Sequence, residues 1–453
     1  MAYCGYVTTL KNVRKHPNAD RLLLGECFGN VVCVSTDYAE GEIGVYFPTD
    51  GQLSVEFAEQ NNLLRKKDEN GNNIGGYMDP DKRNVTSIKL RGEKSDGLFL
   101  PISCLEYTGV DMDLLEVGTT ITDVNGHHIC EKYIPKRKTQ GTHDKVNKTR
   151  KKKVPIAPLF AEHADTEQLA YNMNVFKAGD EIEITLKMHG TSQRTGYLPK
   201  LQGYKRTLLD KIFRREGTPI YDWGYVTGTR RVVLKDFDQP AYYDTNNFRE
   251  GPAKAFEGKL HKGETVYYEV VGYTDTGAPI MGDCNNKKLN DKDFVKQYGE
   301  TTRFSYGMDE GFCDFYVYRM TMTNEDGDVV EYTPDFMRYR CEQMGVKTVM
   351  VFAKATIDYE GVHVFYPDPY GYVYTTDCPG ETVREVAERY YDGPDPVGKT
   401  HIREGVVVRI VNRPSFTAYK HKNWYFKALE GIVKIEADAP DMEEAQEIQE
   451  DGE

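Results

Sequence analysis

The sequence predicts an α+β protein in which a small antiparallel β-barrel precedes a larger domain of antiparallel sheets with flanking helices. Three observations lead to this prediction. Short alternating apolar runs fill residues 1–130, a lysine-rich stretch follows, and longer strand-like runs dominate after Val154. The 453 residues are enough for two or three domains, each with a sizeable core.

The N-terminal part, residues 1–130, consists of short runs with Gly, Asn and Asp between them. Gly29–Ser35 and Ile43–Phe47 are two such runs, rich in β-branched and aromatic residues. Short strands separated by frequent turn residues are typical of a small antiparallel barrel. We therefore predict a barrel over residues 1–130.

A basic linker is predicted over residues 131–153. Ten Lys or Arg and one acidic residue, Asp144, lie between Lys132 and Lys153. Such a stretch is expected to be exposed and to attract phosphate groups. On charge alone, a linker that is merely soluble explains it equally well.

The remainder divides into a large domain, residues 154–435, and an acidic tail, residues 436–453. The tail carries nine acidic residues and no basic one, and it accounts for most of the net charge of −13. Its composition is too poor in large apolar groups to form a core, so we predict that it is disordered. Two helices are predicted in the domain. One runs from Thr333 to Gly345, with Pro334 in its first turn, and one contains Val383, Val386, Ala387 and Tyr390 at helical spacing.

Composition also excludes several classes of protein. The sequence contains no run of about 18 apolar residues, so no membrane helix is predicted. The N-terminus has no basic segment followed by an apolar one, which argues against a secreted protein. The nine cysteines form no Cys-x-x-Cys pair, which favours free thiols in a reducing compartment and a cytoplasmic location. His127–Cys130 offers too few ligands for a structural zinc site.

Residues Lys187–Ser192, Lys-Met-His-Gly-Thr-Ser, point to covalent chemistry. They follow the strand-like run Glu181–Leu186, which brings Lys187 to the end of a buried strand. A lysine nucleophile must attack as the neutral amine, and partial burial and nearby cations favour that form. Gly190 would let the backbone approach a nucleotide closely. Lys-x-x-Gly is common by chance, so its partners elsewhere in the chain must decide the interpretation.

Those partners follow in order along the chain. Glu269 lies in the run Tyr267–Tyr273, and a carboxylate in such a strand is costly unless it is paired or bound to a ligand. Asp314–Arg319 supplies aromatic rings, and Glu404 precedes the buried run Gly405–Ile410. Lys420 and Lys422 share one face of an extended segment, because strand side chains repeat every second residue. Together these residues predict a pocket for ATP and a divalent metal, Mg²⁺ or Mn²⁺.

This ordered set of motifs resembles the ATP-dependent RNA ligases of the covalent nucleotidyltransferase superfamily, whose catalytic domain is a nucleotidyltransferase (ATP-grasp-like) fold. The resemblance covers residues 187–422, and Lys-x-His-Gly-Thr-Ser is typical of RNA ligases. It implies that Lys187 carries AMP with His189 beside it, and that Gly190 and Glu269 contact the nucleotide, Glu269 through the ribose. The remaining roles it implies are adenine recognition by Glu167 within 165–168, stacking by Phe315, metal binding by Glu404, phosphate binding by Lys420 and Lys422, and a nucleotide contact by Arg194, Arg230 or Arg231.

The N-terminal part also resembles a known module. His16–Leu23 is similar to the start of tRNA-binding OB-type domains. Ser87–Leu98 is similar to a segment of those bacterial and phage RNA ligases that carry an OB domain before the catalytic one. The resemblance implies an OB-like barrel that binds nucleic acid, while a barrel that only packs against the catalytic domain is the alternative. Only 31 residues follow Lys422, too few for a C-terminal OB domain.

The sequence thus predicts an ATP-dependent RNA ligase that joins 3′-hydroxyl and 5′-phosphate ends in RNA repair. The expected partner is RNA, either a nicked duplex or a broken strand, and the expected state is a monomer. Two alternatives stay open. An mRNA-capping-type guanylyltransferase would use GTP, and Lys-x-His-Gly differs from the Lys-x-Asp-Gly form of those enzymes. A non-catalytic RNA-binding protein would leave Lys187, Glu269 and Glu404 without a role.

Overall fold

The described residues form two compact units. The computed structural model describes residues 3–67, 69, 73–134, 154–208, 210, 213, 217–234, 248–367, 371–374 and 378–437. The first unit comprises the described residues of Met1–Arg137, Cys284–Thr302 and Lys422–Pro440, and the second those of Lys138–Asp283 and Arg303–His421. Most of the predicted linker, 131–153, and of the predicted tail, 436–453, lies outside the described residues.

The strands are numbered in chain order. They are β1 (Gly5–Thr9), β2 (Lys11–Lys15), β3 (Leu22–Cys27), β4 (Asn30–Ser35), β5 (Ile43–Phe47), β6 (Gly51–Leu53), β7 (Lys66–Lys67), β8 (Asn73–Gly75), β9 (Asn84–Val85), β10 (Ser87–Leu90), β11 (Glu93–Asp96), β12 (Leu98–Pro101), β13 (Thr120–Ile121), β14 (Asp123–Val124), β15 (His127–His128), β16 (Cys130–Lys132), β17 (Glu167–Gln168), β18 (Glu181–Lys187), β19 (Thr191–Lys205), β20 (Thr218–Gly228), β21 (Glu264–Gly272), β22 (Cys284–Asn285), β23 (Thr301–Thr302), β24 (Cys313–Thr323), β25 (Val329–Glu331), β26 (Val351–Ile357), β27 (Gly361–Tyr366), β28 (Gly371–Tyr374), β29 (Gly405–Ile410) and β30 (Thr417–Lys422).

The α-helices are short and few in the described part of the chain. They are α1 (Val55–Gln60), α2 (Glu250–Lys254), α3 (Lys292–Tyr298), α4 (Pro334–Met344), α5 (Pro379–Glu388) and α6 (Trp424–Ala437). Short 3-10 helices span Ile102–Thr108, Met112–Leu114, Leu169–Tyr171, Met173–Val175 and Asn286–Leu289. None of the described helices is long and apolar enough to cross a lipid bilayer.

The first unit is built from small antiparallel sheets. A four-stranded sheet has the order β12-β5-β1-β13, and three-stranded sheets have the orders β2-β3-β4 and β16-β6-β9. Alternating residues of β1 and β5, such as Val7, Val45 and Phe47, are buried in one core with Phe57 of α1. The antiparallel pairing was predicted, but the strand pairs of the described residues do not close into a barrel. Strand alternation alone cannot distinguish open sheets from a closed barrel, because both bury every second residue.

Two segments from far along the chain complete the first unit. Asp291 begins α3, where its Oδ1 accepts hydrogen bonds of 3.1 Å from the backbone N–H groups of Asp293 and Phe294. Its Oδ2 accepts from Tyr425 of α6 at 2.9 Å and from Lys89 of β10. Burial opposes the charged form, yet the Lys89 and backbone hydrogen bonds bring the pKa of Asp291 down to about 2. The predicted OB-type segment Ser87–Leu98 is therefore used, in part, to hold α3 and α6.

The second unit contains two larger sheets. A seven-stranded sheet has the order β17-β30-β29-β18-β26-β27-β28, and a five-stranded sheet has the order β20-β19-β21-β24-β25. The pairs β18–β26, β18–β29, β19–β21 and β21–β24 are antiparallel, whereas β17 and β30 run parallel. The combination of helices with mostly antiparallel sheets agrees with the predicted α+β class.

Each large sheet buries one face under a predicted helix. Val383, Val386 and Ala387 of α5 are fully buried against the aliphatic residues of the seven-stranded sheet. On the five-stranded sheet, α4 places Met337 and Cys341 in the core. Both helices were predicted, and the end signals of α4 act as expected. Thr333 Oγ1 accepts from the backbone N–H of Phe336, Pro334 occupies the first turn, and Gly345 ends the helix at φ 68°.

Residues 359–377, whose role the sequence left open between an insertion and ordinary sheet, include β27 and β28. These strands extend the seven-stranded sheet at its edge, with Val362 opposite Val373. The buried Val362 and Val364 continue the same core. The described part of this segment is therefore ordinary sheet.

Candidate active site

The predicted nucleophile lies beside a buried carboxylate. Lys187 is the last residue of β18 and stands opposite Gly405, the first residue of β29. This register places Glu404 next to Lys187, and Nζ of Lys187 lies 2.7 Å from Oε1 of Glu404. The Glu404 side chain is 1% exposed and the Lys187 side chain 22% exposed. A partly exposed lysine is thus held by a buried carboxylate.

His189 is fixed by its backbone and by its ring. Its backbone N–H donates to Oη of Tyr306 at 2.6 Å. Its ring meets the ring of Phe304 edge-on at 4.5 Å, and Nδ1 lies 3.9 Å from Oε2 of Glu404. Burial raises the pKa of Tyr306 well above its ordinary value, so this hydroxyl stays protonated. The histidine is therefore oriented toward the same carboxylate that holds Lys187.

A loop that buries Asp395 and His401 packs against Tyr306. The rings of Tyr306 and His401 meet edge-on at 4.5 Å, and Nδ1 of His401 lies 2.8 Å from the carbonyl oxygen of Ile402. Burial lowers the pKa of His401, which keeps it neutral. Asp395 closes the loop, because its Oδ2 accepts from the backbone N–H of Gly398 at 2.8 Å. Glu404 follows this loop directly, so the loop positions the carboxylate and Tyr306 together.

Gly190 and Glu269 link the two sheets of the second unit. The chain leaves the seven-stranded sheet after Lys187 and enters the five-stranded sheet at Thr191. Between them, the backbone N–H of Gly190 donates to Oε1 of Glu269 at 3.1 Å. A Cβ at position 190 would lie 2.3 Å from the carbonyl oxygen of Val270. Glycine is therefore required by the neighbouring strand itself, a physical reason that differs from the predicted approach to a nucleotide.

The aromatic residue predicted to stack on adenine lies on another face. Phe315 packs against Phe256 and Tyr268, with ring centroids 5.5 and 5.3 Å apart, and belongs to the core of the five-stranded sheet. Tyr316, the next residue, stands directly opposite Glu269 in the ladder and therefore shares its face. Tyr316, and not Phe315, thus lies on the face of Glu269. Alternation within each strand could not give this answer from sequence, because it does not fix which residue of the neighbouring strand stands opposite Glu269.

The arginine candidates separate clearly. Arg194 is 1% exposed and donates to the backbone carbonyl oxygens of Ala161 and Arg231, with its guanidinium 4.3 Å from the ring centre of Phe160. Its guanidinium is thus held by the protein backbone, and the predicted nucleotide contact of Arg194 stays a prediction. Arg230 and Arg231 are more exposed, at 25% and 44%.

Both of those arginines hold the segment predicted to meet adenine. Arg230 donates to Oδ1 of Asp165, and Arg231 lies 3.6 Å from Oδ2. Burial of Asp165 opposes its charge, but Arg230 and then Arg231 hold its pKa below the ordinary value. Nearby, burial and then Arg230 bring the pKa of His163 down to about 3, so that ring is neutral. The predicted Asp165–Gln168 segment and the Arg230 segment are thus brought together.

Lys420 and Lys422 lie on the last strand, β30, and Glu167 lies on its parallel neighbour, β17. Gln168 stands opposite Lys420 and Glu167 opposite Tyr419 in the parallel β17–β30 pair. Lys420 is half-buried. Lys422 begins the part of the chain that belongs to the first unit, where its Nζ lies 2.8 Å from Oε2 of Glu430. The predicted phosphate contacts of both lysines stay predictions. For Lys422, the carboxylate of Glu430 would compete with a phosphate for the amine.

The metal prediction rests on Glu404. Among the described residues, no three or more His, Cys, Asp or Glu side chains are grouped so that they could hold a metal ion. Mg²⁺ commonly takes one or two protein carboxylates together with phosphate oxygens and water. Glu404 therefore fits as a single protein ligand, provided that the nucleotide supplies oxygens.

Sequence reasoning missed Tyr306, Phe304, His401 and Asp395. They come from a loop after β23 and a loop before β29, and no motif marks either loop. Arg249 was missed as well. It is 3% exposed, and its guanidinium donates to Oγ1 of Thr191 at 2.7 Å, which fixes the start of β19 beside Gly190.

Solved structures of a Naegleria gruberi RNA ligase are similar to this chain over its whole length. One, a variant with ATP and Mn, has a TM-score of 0.52 at 15% sequence identity and covers 95% of this chain and 98% of that chain. Another, with PPi, has a TM-score of 0.52 at 15% identity and covers 96% and 98%. A third, a variant with AMP and Mn, has a TM-score of 0.51 at 14% identity and covers 96% and 99%.

At this level of identity the likeness shows the fold. The chain has the mixed, mostly antiparallel fold of that RNA ligase. The predicted bacterial and phage subgroup receives no support from these structures and stays a prediction. No protein-family model and no curated protein matches the chain.

Proposed function

We propose that this protein is an ATP-dependent RNA ligase that joins 3′-hydroxyl and 5′-phosphate ends. The observation that carries the proposal is the contact between Lys187 and the buried Glu404, beside the Gly190–Glu269 hydrogen bond. These four residues match the nucleotidyltransferase motifs, and they meet at one point in a fold similar to an RNA ligase. That ligase was solved with ATP and Mn, which supports ATP and a divalent metal for this chain.

The first step would charge the enzyme. Nζ of Lys187 loses a proton and attacks the α-phosphorus of ATP, an N–P bond forms, and pyrophosphate leaves with the electrons of the broken P–O bond. Oε1 of Glu404 is a proton acceptor within 2.7 Å of Nζ. His189, held by Tyr306 and Phe304, is positioned to donate to a phosphate oxygen.

The next two steps would use the stored AMP. A 5′-phosphate oxygen of RNA attacks the AMP phosphorus, the N–P bond breaks, and Lys187 regains its proton. A 3′-hydroxyl then attacks the 5′-phosphorus, a phosphodiester forms, and AMP leaves. The chain's contribution is positioning and charge neutralisation, which suits Lys420 and the arginine pair Arg230 and Arg231.

Glu404 would hold the divalent metal, which would neutralise charge on the phosphates. Glu269 would contact the ribose with its carboxylate while one oxygen holds the Gly190 backbone. Tyr316 would stack on adenine in place of Phe315, and Glu167 would lie at the adenine edge. These assignments extend the motif roles to the side chains that share a face in the structure.

Two other functions are weaker. A capping-type guanylyltransferase would also charge Lys187, but from GTP. A non-catalytic RNA-binding protein would leave the Lys187–Glu404 pair, the His189 ring beside it and the Gly190–Glu269 hydrogen bond without a role.

The test is to incubate the protein with α-labelled ATP and, separately, α-labelled GTP, with Mg²⁺ or Mn²⁺. We expect a covalent adduct with ATP and not with GTP. After addition of a nicked RNA duplex, we expect AMP to be released and the strand to be sealed. Labelling by GTP alone would favour the capping reaction. Absence of any adduct under all conditions would contradict both enzymatic functions.

A further inference from the structure

The long hairpin β19–β20 carries a row of aromatic residues that the proposed chemistry does not use. The ladder pairs Tyr197 with Tyr225 and Pro199 with Trp223, so these side chains share one face. The rings of Tyr197 and Tyr225 stack at 4.8 Å with an interplanar angle of 25°. Trp223 follows at 6.0 Å from Tyr197. The row therefore runs outward along the hairpin.

The row changes character along its length. Pairing of β19 with β21 ends at Gly196. Tyr197 and Tyr225 still cover the core of the five-stranded sheet, and Oη of Tyr225 accepts from the backbone N–H of Gly258 at 2.6 Å. Trp223 lies beyond that core and is half-buried. A half-buried indole at the outer end of a row of aromatic residues offers a ring face for a further planar group.

A cation lies beside this end of the hairpin. Nζ of Lys262, an exposed residue, lies 5.1 Å from the ring centre of Trp223. Asp222 stands opposite Lys200, so both lie on the other face of the ladder from Trp223.

We infer that Trp223, with Tyr197 and Lys262, forms a binding surface for single-stranded RNA. Aromatic rings stack on bases of any sequence, and lysines beside them neutralise the phosphates, which is how many proteins hold a single strand. Charge complementarity selects this partner, because the charged side chain beside Trp223 is the cation Lys262, while the carboxylate of Asp222 lies on the other face. The inference rests on the proposed function, since it assigns a surface to that reaction's RNA.

Fluorescence offers a direct test, because the chain has two tryptophans, Trp223 and Trp424. In full-length Trp424→Phe the emission comes from Trp223. A short oligo(A) strand with a 3′-hydroxyl and no 5′-phosphate binds without being adenylylated. We expect it to quench Trp223 emission saturably, and less as salt rises. The matched variant Trp223→Phe, which keeps Trp424, should show no comparable quenching. Equal quenching in both variants, or none in Trp424→Phe, would overturn the assignment.

Kinetics separates this surface from the chemistry. We expect Trp223→Leu and Lys262→Gln to raise the Kd for oligo(A) and the KM for a nicked RNA about tenfold, with the rate of enzyme–AMP formation unchanged. Trp223→Phe keeps a ring and should recover most of the affinity. If both variants bind and seal RNA like the parent while enzyme–AMP forms normally, the surface is not used. Failure of the parent to form enzyme–AMP would instead contradict the proposed function. The quenching measurement would still show whether Trp223 binds RNA.

Discussion

Two lysine–carboxylate pairs in this molecule have similar composition and opposite character. In the second unit, Lys187 meets Glu404 with side chains 22% and 1% exposed. In the first unit, Lys89 meets Asp291 with side chains 15% and 8% exposed. Burial alone does not distinguish them.

The difference lies in what else each carboxylate holds. Asp291 begins α3 with two backbone hydrogen bonds and accepts a third from Tyr425. Its partners come from three separated segments of the chain, so it fastens them together. Glu404 instead contacts Lys187 and faces His189, two side chains able to react or to move a proton. A buried carboxylate surrounded by backbone donors indicates architecture, and one surrounded by titratable side chains indicates chemistry.

The strongest way to break this comparison is to remove each lysine. We expect Lys187→Ala to abolish the covalent AMP adduct, because no nearby group can form the phosphoramidate from the same position. Lys89→Ala should keep the adduct and lower the melting temperature. Labelled ATP and a thermal melt measure the two effects. An adduct that persists in Lys187→Ala would move the nucleophile elsewhere.

Neutralising each carboxylate sharpens the comparison further. We expect Glu404→Gln to melt near the parent temperature and to lose about 10²-fold in the rate of enzyme–AMP formation, the usual scale for a preorganised electrostatic contact. Asp291→Asn should show the reverse, with a near-normal rate and reduced stability. Single-turnover labelling and calorimetry distinguish the two. Equal losses of rate in both variants would remove the distinction.

The pH dependence of stability gives a third contrast. The pKa of Asp291 is lowered from 3.8 to about 2 in the folded protein, so its contribution is present above pH 3.8 and is lost as pH falls through 2. The expected size is about 2 kcal/mol near neutral pH, falling to about half at pH 3. The stability difference between the parent and Asp291→Asn, measured by denaturant unfolding at several pH values, should therefore shrink on acidification. A difference that stays constant down to pH 3 would contradict this account.

The smallest effect on activity is expected at Tyr306, which contacts the backbone of His189. Tyr306→Phe removes the oxygen that accepts from the His189 backbone at 2.6 Å and keeps the ring against His401. We expect a loss of about fivefold to tenfold in adduct formation, since one neutral hydrogen bond is worth about 1 kcal/mol. Phe304→Leu is a matched probe of the ring contact. A rate equal to the parent in Tyr306→Phe would show that His189 needs no such support.

Much of the site was predictable because its residues sit on strands. Lys187 follows an apolar run, Glu269 lies within one and Glu404 precedes one. Antiparallel pairing of the first and last of these runs then brings Lys187 and Glu404 together. The face of Phe315 could not be predicted, because it depends on the register between two strands, which alternation within one strand does not fix. The burial of Arg194 could not be predicted, because its partners are backbone carbonyl oxygens, which leave no trace in the sequence.

The fold was predictable to a similar extent. Helices α4 and α5 and the strands around the motifs were expected from spacing and end signals. The membership of Cys284–Thr302 and Lys422–Pro440 in the first unit was not, since it depends on pairings between distant segments such as Lys89 with Asp291. A protein that begins at Val154 would lack residues 1–137, so these two later segments would lose their partners in the first unit. Such a truncation therefore does not isolate the charging reaction.

The first unit is assembled from three segments of the chain, and this sets the order in which it can fold during synthesis. The first 137 residues leave the ribosome long before Lys422, with 284 residues of chain between them. At about 5–20 residues per second, the delay is roughly 15 to 60 s. The N-terminal unit therefore waits for α6 before Asp96, on β11, can meet Lys427. The part of the protein made first is the part completed last, which gives nascent chains a long interval in which this unit is unfinished.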